Sequence, residues 1–448
     1  MLHLASSPLA AGRLVRRAVP LVFVAFGLLA GACGENAGPP PPPADSGPRD
    51  LGVDLGRDQG SMDLGPDGAG GDQGAMDAGP DGGTQLNCEV EAPEVLGTES
   101  ASVTQRLAIA HRVNDFAILF RERRPTFDDI WVRVYRDTPT GVMASADLPI
   151  TTDAGGLSVS GVSRDPAIVA TDAGYLAAWI DSREMGFEMW TRALDPDGVP
   201  GSALQRVTTS TGAAASPTLT RGSNGTFLAG HIHDDTQTGT TRSFNVATVG
   251  ATGALTGSWT RVSDMAELTS QGALVPGQAG GFLSGWLDAS SNVRVRTISA
   301  SGAPTGTAVT HLSVASYGLD PFVLVFARNE GFDAIRAQAI SASGSTDGLL
   351  RSATPPDATG RDPGVAPLLG GVVIAYRHTT TSGPNIALAL VNSRGELRQT
   401  VVLGATTDDG GPVSVAVNNE GRIRLAWAEI EAGTTTTYTQ AVVCAEPL

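Results

Sequence analysis

A short apolar run ending in an aromatic or histidine residue recurs seven times: FAILF to Phe120, YLAAW to Trp179, FLAGH to His231, FLSGW to Trp286, FVLVF to Phe326, VVIAY to Tyr376 and IRLAW to Trp427. Most copies fall about fifty residues apart. An earlier strand lies upstream of most of them, as in PAIVAT from Pro166, PTLT from Pro217 and PVSVAV from Pro412. Downstream, a third strand runs into a glycine four residues on: Leu194 to Gly198, Val249 to Gly253, Ile298 to Gly302, Ile340 to Gly344 and Val391 to Gly395. A fourth strand follows, for example ALQRVTT from Ala203. The runs lack the apolar–polar alternation of a sheet with one wet face, so they predict sheets covered on both sides. Seven four-stranded units with turn chemistry between them predict an all-β fold, a seven-bladed β-propeller over 88–448. A continuous sandwich would not keep one aromatic column in register over this length, and the repeats are long for a solenoid.

The chain before the first blade has a different pattern. Arg13, Arg16 and Arg17 precede an apolar run from Val19 to Ala32, too short for the ~20 residues that span a bilayer. This predicts a signal peptide over 1–32. Ala30-Gly31-Ala32 then meets Cys33, and Leu29 to Cys33 resembles the lipobox of bacterial lipoproteins, departing at Ala30 where leucine is usual. The resemblance implies lipidation of Cys33 and a membrane anchor through that lipid. Gly34 in place of aspartate implies the outer membrane by the sorting rule of that class. Residues 33–87 run from a proline block into DQGSMDLGPDG at Asp58, repeated as DQGAMDAGPDG at Asp72. Nine Asp and one Glu against two Arg give 34–86 a net charge of −8, half the chain's −16. Such a segment buries no core and repels itself, so it reads as a disordered tether. It lacks the spacing of an EF-hand or of the glycine-rich calcium nonapeptide.

Two cysteines remain, Cys88 and Cys444. In an exported chain an even pair reads as a disulfide. The last repeat has a first strand near Pro412, a second ending at Trp427 and a third from about Thr436 to Cys444, and no fourth. The stretch EVEAPEVLG from Glu89 is predicted to supply it, closing the ring with Cys88 against Cys444. By the loop-entropy model that link is worth ~4–5 kcal/mol.

Blade two, AAWIDSREMGFEMWTRALDPDG from Ala177, resembles the W-x-D-x-R-x-G-x-x-D-I-Y-x-x-R-x-D-x-x-G repeat of secreted bacterial propellers, and more distantly the TolB-type repeat. FRERRPTFDDIWVRVY and FARNEGFDAIRAQAI carry degenerate copies. The resemblance implies architecture and a binding or scaffolding role, with no specific ligand.

Composition narrows the chemistry. The acidic balance argues against nucleic acid as a partner. All thirty basic residues are arginine, which excludes a Schiff-base lysine, a P-loop lysine and a Ser-Lys dyad. Two residues past each anchor stands a polar residue: Glu122, Asp181, His233, Asp288, Arg328, His378 and Glu429. With Asp165 and Asp362, each before a proline, they are expected at one end of the ring. There they form either a binding rim or caps for turns. His231, His233 and Asp235 are candidate metal ligands, since positions i and i+2 of a strand share a face. Asp-box turns, a G-x-S-x-G elbow and an H-E-x-x-H pair are all missing. No catalytic residue and no cofactor are assigned. The expected function is a non-catalytic surface lipoprotein binding a protein, glycan or envelope component. The alternative is a polysaccharide hydrolase or lyase.

Overall fold

The computed structural model describes residues 86–445, apart from 100–105, 124–127, 139–140, 153–160, 185, 202, 210–211, 235–241, 265–268, 270, 278–279, 314–315, 320–322, 330–332, 357, 369 and 408–409. Cys33, the leader and the tether up to residue 85 lie outside these, as does Asp235.

Seven antiparallel sheets follow one another along the chain, and the protein is a seven-bladed β-propeller. Blade 2 is representative, with Ser163–Thr171, Gly174–Asp181, Glu188–Leu194 and the two-residue Gln205–Arg206 in spatial order. The first strand of each blade touches that of the next, and the seventh returns to the first. Among the described residues, buried apolar side chains form seven clusters, one at each junction between blades. Second strands such as Gly174–Asp181 are buried along their whole length, which is why their sequences show no polar alternation.

The predicted glycines sit where hairpins need left-handed backbone. Gly198, Gly253, Gly302, Gly344 and Gly395 have φ between 79° and 89°. In blade 2 the turn is held by Asp195, whose carboxylate accepts from the amides of Asp197 and Val199 at 2.9 and 2.8 Å. These glycines also dock on the preceding blade. A Cβ on Gly344 would stand 2.5 Å from Val295 Cγ1, and one on Gly253 would stand 2.7 Å from Thr191 Oγ1.

The ring closes as the strand count predicts. Blade 7 runs Ser414–Val417, Arg422–Glu431 and Thr434–Ala445. Both Asn87–Val90 and Glu94–Glu99 pair with its third strand. Cys88 lies opposite Cys444 in register and the two form a disulfide spanning 356 residues.

Candidate binding site at the channel mouth

The innermost strands share an irregularity. In three of them a non-glycine residue with positive φ directly precedes a proline: Asp165 at 51°, Ser216 at 47° and Asp362 at 53°. The ladder to the second strand slips at each of these points. Proline has no N–H to offer a ladder, so within a sheet it is confined to edge strands, strand ends and bulges. Here the preceding residue makes the bulge, at a cost of about 1–3 kcal/mol where it is not glycine. Aspartate tolerates the conformation better than most. In blade 7 Gly411, φ 92°, likewise precedes a proline, Pro412, ahead of the first strand Ser414–Val417.

The result is a collar of Pro166, Pro217, Pro363 and Pro412 in the central channel. At one opening the collar borders a cavity of about 210 Å³ that also exposes Arg106, Asp165, Gln271 and Asp362. Arg106 donates to Ser216 Oγ at 3.3 Å. Asp165 stands 3.8 Å from the Arg164 guanidinium. Two carboxylates, a guanidinium and a carboxamide over an apolar collar offer acceptors and donors to a hydroxyl-rich group. Drug-sized ligands occupy clefts of roughly 300–1,000 Å³, so the mouth suits a smaller unit, such as one sugar ring. This end of the ring also carries the loops between second and third strands, because Ser163 pairs with Asp181 and Gly360 with His378.

Most residues two past the anchors are engaged within the blades. Asp181 is 1% exposed. Its carboxylate accepts from Ser163 Oγ at 2.7 Å, from the indole N–H of its own anchor Trp179 at 3.2 Å, and from the Arg183 amide and guanidinium. Burial alone would raise its pKa, but Arg183 and these donors hold it below the usual carboxylate range. Glu429 repeats the arrangement, accepting from Trp427 Nε1 at 2.9 Å and Thr406 Oγ1 at 2.6 Å. Asp288 caps a turn through the amides of Ser290 and Asn292, both at 2.9 Å. His378 is buried, with its ring edge-on to Tyr376 at 5.6 Å. Glu122 is half-buried opposite Asp129.

The histidine pair sits elsewhere, in blade 3. His231 and His233 share a face with ring centroids 5.7 Å apart, beside a cavity of about 330 Å³. Burial and the neighbouring His233 push the His231 pKa down to about 3. Among the described residues, no group of three His, Cys, Asp or Glu side chains converges to hold a metal. Sequence reasoning missed Arg106, Gln271 and Ser216. The available signal was the x-Pro step at one position of successive repeats, which marks where a central strand must bulge.

No family model matches the chain, and no curated protein matches it. Solved structures with a similar fold include a Dyadobacter fermentans protein of unknown function (TM-score 0.45, 10% identity, covering 79% of this chain and 99% of that one). Puromycin hydrolase is similar at TM-score 0.47 and 16% identity, covering 76% of this chain and 52% of that one. Trypanosoma rangeli sialidase in complex with sialic acid is similar at TM-score 0.45 and 9% identity, covering 76% and 54%.

Proposed function

We propose that this protein is a non-catalytic binding module carried on the cell envelope, taking a glycan unit at the mouth of its propeller channel. The observation that carries this reading is the mouth itself. Left-handed x-Pro bulges, costly in backbone energy, set Asp165 and Asp362 round one opening with Arg106 and Gln271, and a third puts Ser216 Oγ within reach of Arg106. Strained backbone of this kind concentrates at functional sites. The propeller is held from the membrane by a lipid on Cys33 and by the acidic tether, whose self-repulsion extends it.

The test is a glycan array and a polysaccharide-hydrolysis screen on the full mature chain, with Asp165→Asn and Asp362→Asn alongside. Binding without turnover, weakened about tenfold or more in either variant, is the expected outcome; one lost charge-assisted hydrogen bond suffices for that. Turnover of any polysaccharide would replace this reading with a hydrolase or lyase. Labelled palmitate should enter the wild-type chain and not Cys33→Ser.

A further inference from the structure

Blade 3 departs from blades 1 and 2 at one corner, and the departures leave a guanidinium that has no counter-charge among the described residues. The corner lies where the second, third and outer strands end together. In blade 2 it holds Trp179 paired with Trp190, and Asp181 paired with Glu188. Glu188 accepts from Thr208 Oγ1 and, at 3.0 Å, from Arg206 of the outer strand, while Glu184 takes the other arm of Arg206. Blade 1 keeps the same plan, with Trp131 and with Asp129 accepting from Thr151 Oγ1 at 2.7 Å.

Blade 3 preserves the frame and changes its contents. The Met189 amide donates to Thr208 Oγ1 at 2.8 Å in blade 2, and the Phe244 amide donates to Ser263 Oγ at 3.0 Å in blade 3. Arg206 Nε reaches the Thr208 carbonyl, and Arg261 Nε reaches the Ser263 carbonyl. The two corners are therefore equivalent position by position. At the place of Glu188 stands Ser243, and at the place of Trp190 stands Asn245. The anchor is His231 in place of Trp179, and His233 replaces Asp181.

Two consequences follow. Loss of the indole opens the cavity of about 330 Å³, walled by Trp259, whose indole N–H is tied to the Val207 carbonyl at 2.8 Å. Among the described residues, loss of the carboxylate leaves Arg261 donating to the backbone carbonyls of Ser263 and Asp264 alone. Among the described residues, no carboxylate lines the cavity. His231 adds an independent sign. It is 3% exposed, its Nδ1 is enclosed with no partner, and the reachable part of its ring borders this cavity. A buried polar atom left unpaired costs about 1–3 kcal/mol, a cost that a phenyl ring at this anchor would not carry, and the ring edge that borders the cavity is the part open to a ligand.

We propose that this corner of blade 3 is a second binding site, separate from the channel mouth, for a small organic carboxylate with a hydroxylated body. Arg261 takes the carboxylate, as the planar guanidinium fork does best. His231, Ser243 and Asn245 meet the hydroxyls, and Trp259 supplies an apolar wall. A uronic acid has this chemistry.

The test uses the full mature chain and sodium D-glucuronate as probe, with D-glucose as the neutral match, followed by calorimetry. Glucuronate is expected to bind at least about tenfold more tightly than glucose, the scale of one charge-assisted contact. Ser243→Glu rebuilds the blade 2 arrangement, which folds there, and should lower glucuronate affinity by at least about tenfold through pairing Arg261. Arg261→Gln should do the same. Val402→Ala, at an exposed position on the outer strand of blade 6, should leave it unchanged. Absence of glucuronate binding, equal binding of glucose, or affinity unmoved in Ser243→Glu would each overturn the proposal.

Discussion

His231 stays neutral because folding removes its ring from water, and His111 and His311 are shifted the same way by burial. The folded-state pKa of His231, about 3, lies below the ordinary 6.5. As pH falls the unfolded chain therefore takes up this proton first. The contribution is fully present above pH 6.5 and is lost progressively as pH drops toward 3. Between pH 6.5 and 4.5 it amounts to roughly 2–3 kcal/mol. Urea melts at pH 7.0, 5.5 and 4.5 should show His231→Phe losing less stability on acidification than the wild type; parallel losses would contradict this origin. Arginine works at the same scale. Arg377, 1% exposed, donates to the carbonyls of Gly411 at 2.9 Å and Thr407 at 2.8 Å and to Ala428 of the next blade. Arg192 reaches the Ile150 and Thr152 carbonyls of the preceding blade at 2.9 and 2.8 Å. A guanidinium serves several acceptors from one buried position, which an ammonium does less well. The all-arginine composition was plain in the sequence, but this use of it was not, since the acceptors lie 30 to 51 residues away along the chain.

At the level of the element, the turn glycines do two jobs that mutation can separate. Gly344 and Gly421 have nearly the same φ, 79° and 78°. Only Gly344 is crowded, with Val295 Cγ1 2.5 Å from a built Cβ, whereas nothing stands within 4 Å at Gly421. Gly421→Ala should cost about 1–2 kcal/mol, the backbone penalty alone. Gly344→Ala should cost about 2–4 kcal/mol, because overpacking against the previous blade adds to it. Denaturant melts compare the two, and equal losses would mean that docking on the neighbour contributes nothing. The four-residue step from third strand to glycine revealed these hairpins without a structure, because the conformation is local. The bulges at Asp165, Ser216 and Asp362 were not legible as such. Asp-Pro and Ser-Pro steps also open ordinary turns, and only pairing with a second strand on one side makes them slip.

For the molecule as a whole, the decisive contact joins residues 356 apart in sequence. Without the Cys88–Cys444 link, the outer strands of blade 7 are held by their ladder to Thr434–Ala445, by packing beneath it and by side-chain contacts such as Arg133 with Glu94 at 2.7 Å and Gln399 with the Leu86 carbonyl at 3.0 Å. Replacing both cysteines with serine should lower unfolding free energy by roughly 3–5 kcal/mol, as expected when a long loop is released in the unfolded chain. Urea melts of the double variant against the oxidised wild type measure this, and a difference near zero would assign closure to the strands alone. A tryptic digest without reduction should yield the Cys88–Cys444 peptide pair.

The sequence by itself determined the seven blades, their hairpin glycines, the two-part closing arrangement and the cysteine pair. Each is either a local preference repeated often enough to be seen or an unmatched remainder at the two ends of the repeat. Tertiary structure decided which polar residues are free to act. Asp181 and Glu429 read like rim carboxylates, yet their own anchors' indoles lie within hydrogen-bond reach and occupy them. Asp165 and Asp362 reach the channel mouth from bulges at their Asp-Pro steps, where the ladder slips and φ is positive. Among the described residues Arg261 has no carboxylate partner, because serine stands where the neighbouring blade has glutamate. Charge compensation is a property of neighbours in space, and in a ring those neighbours come from strands and blades far apart in sequence.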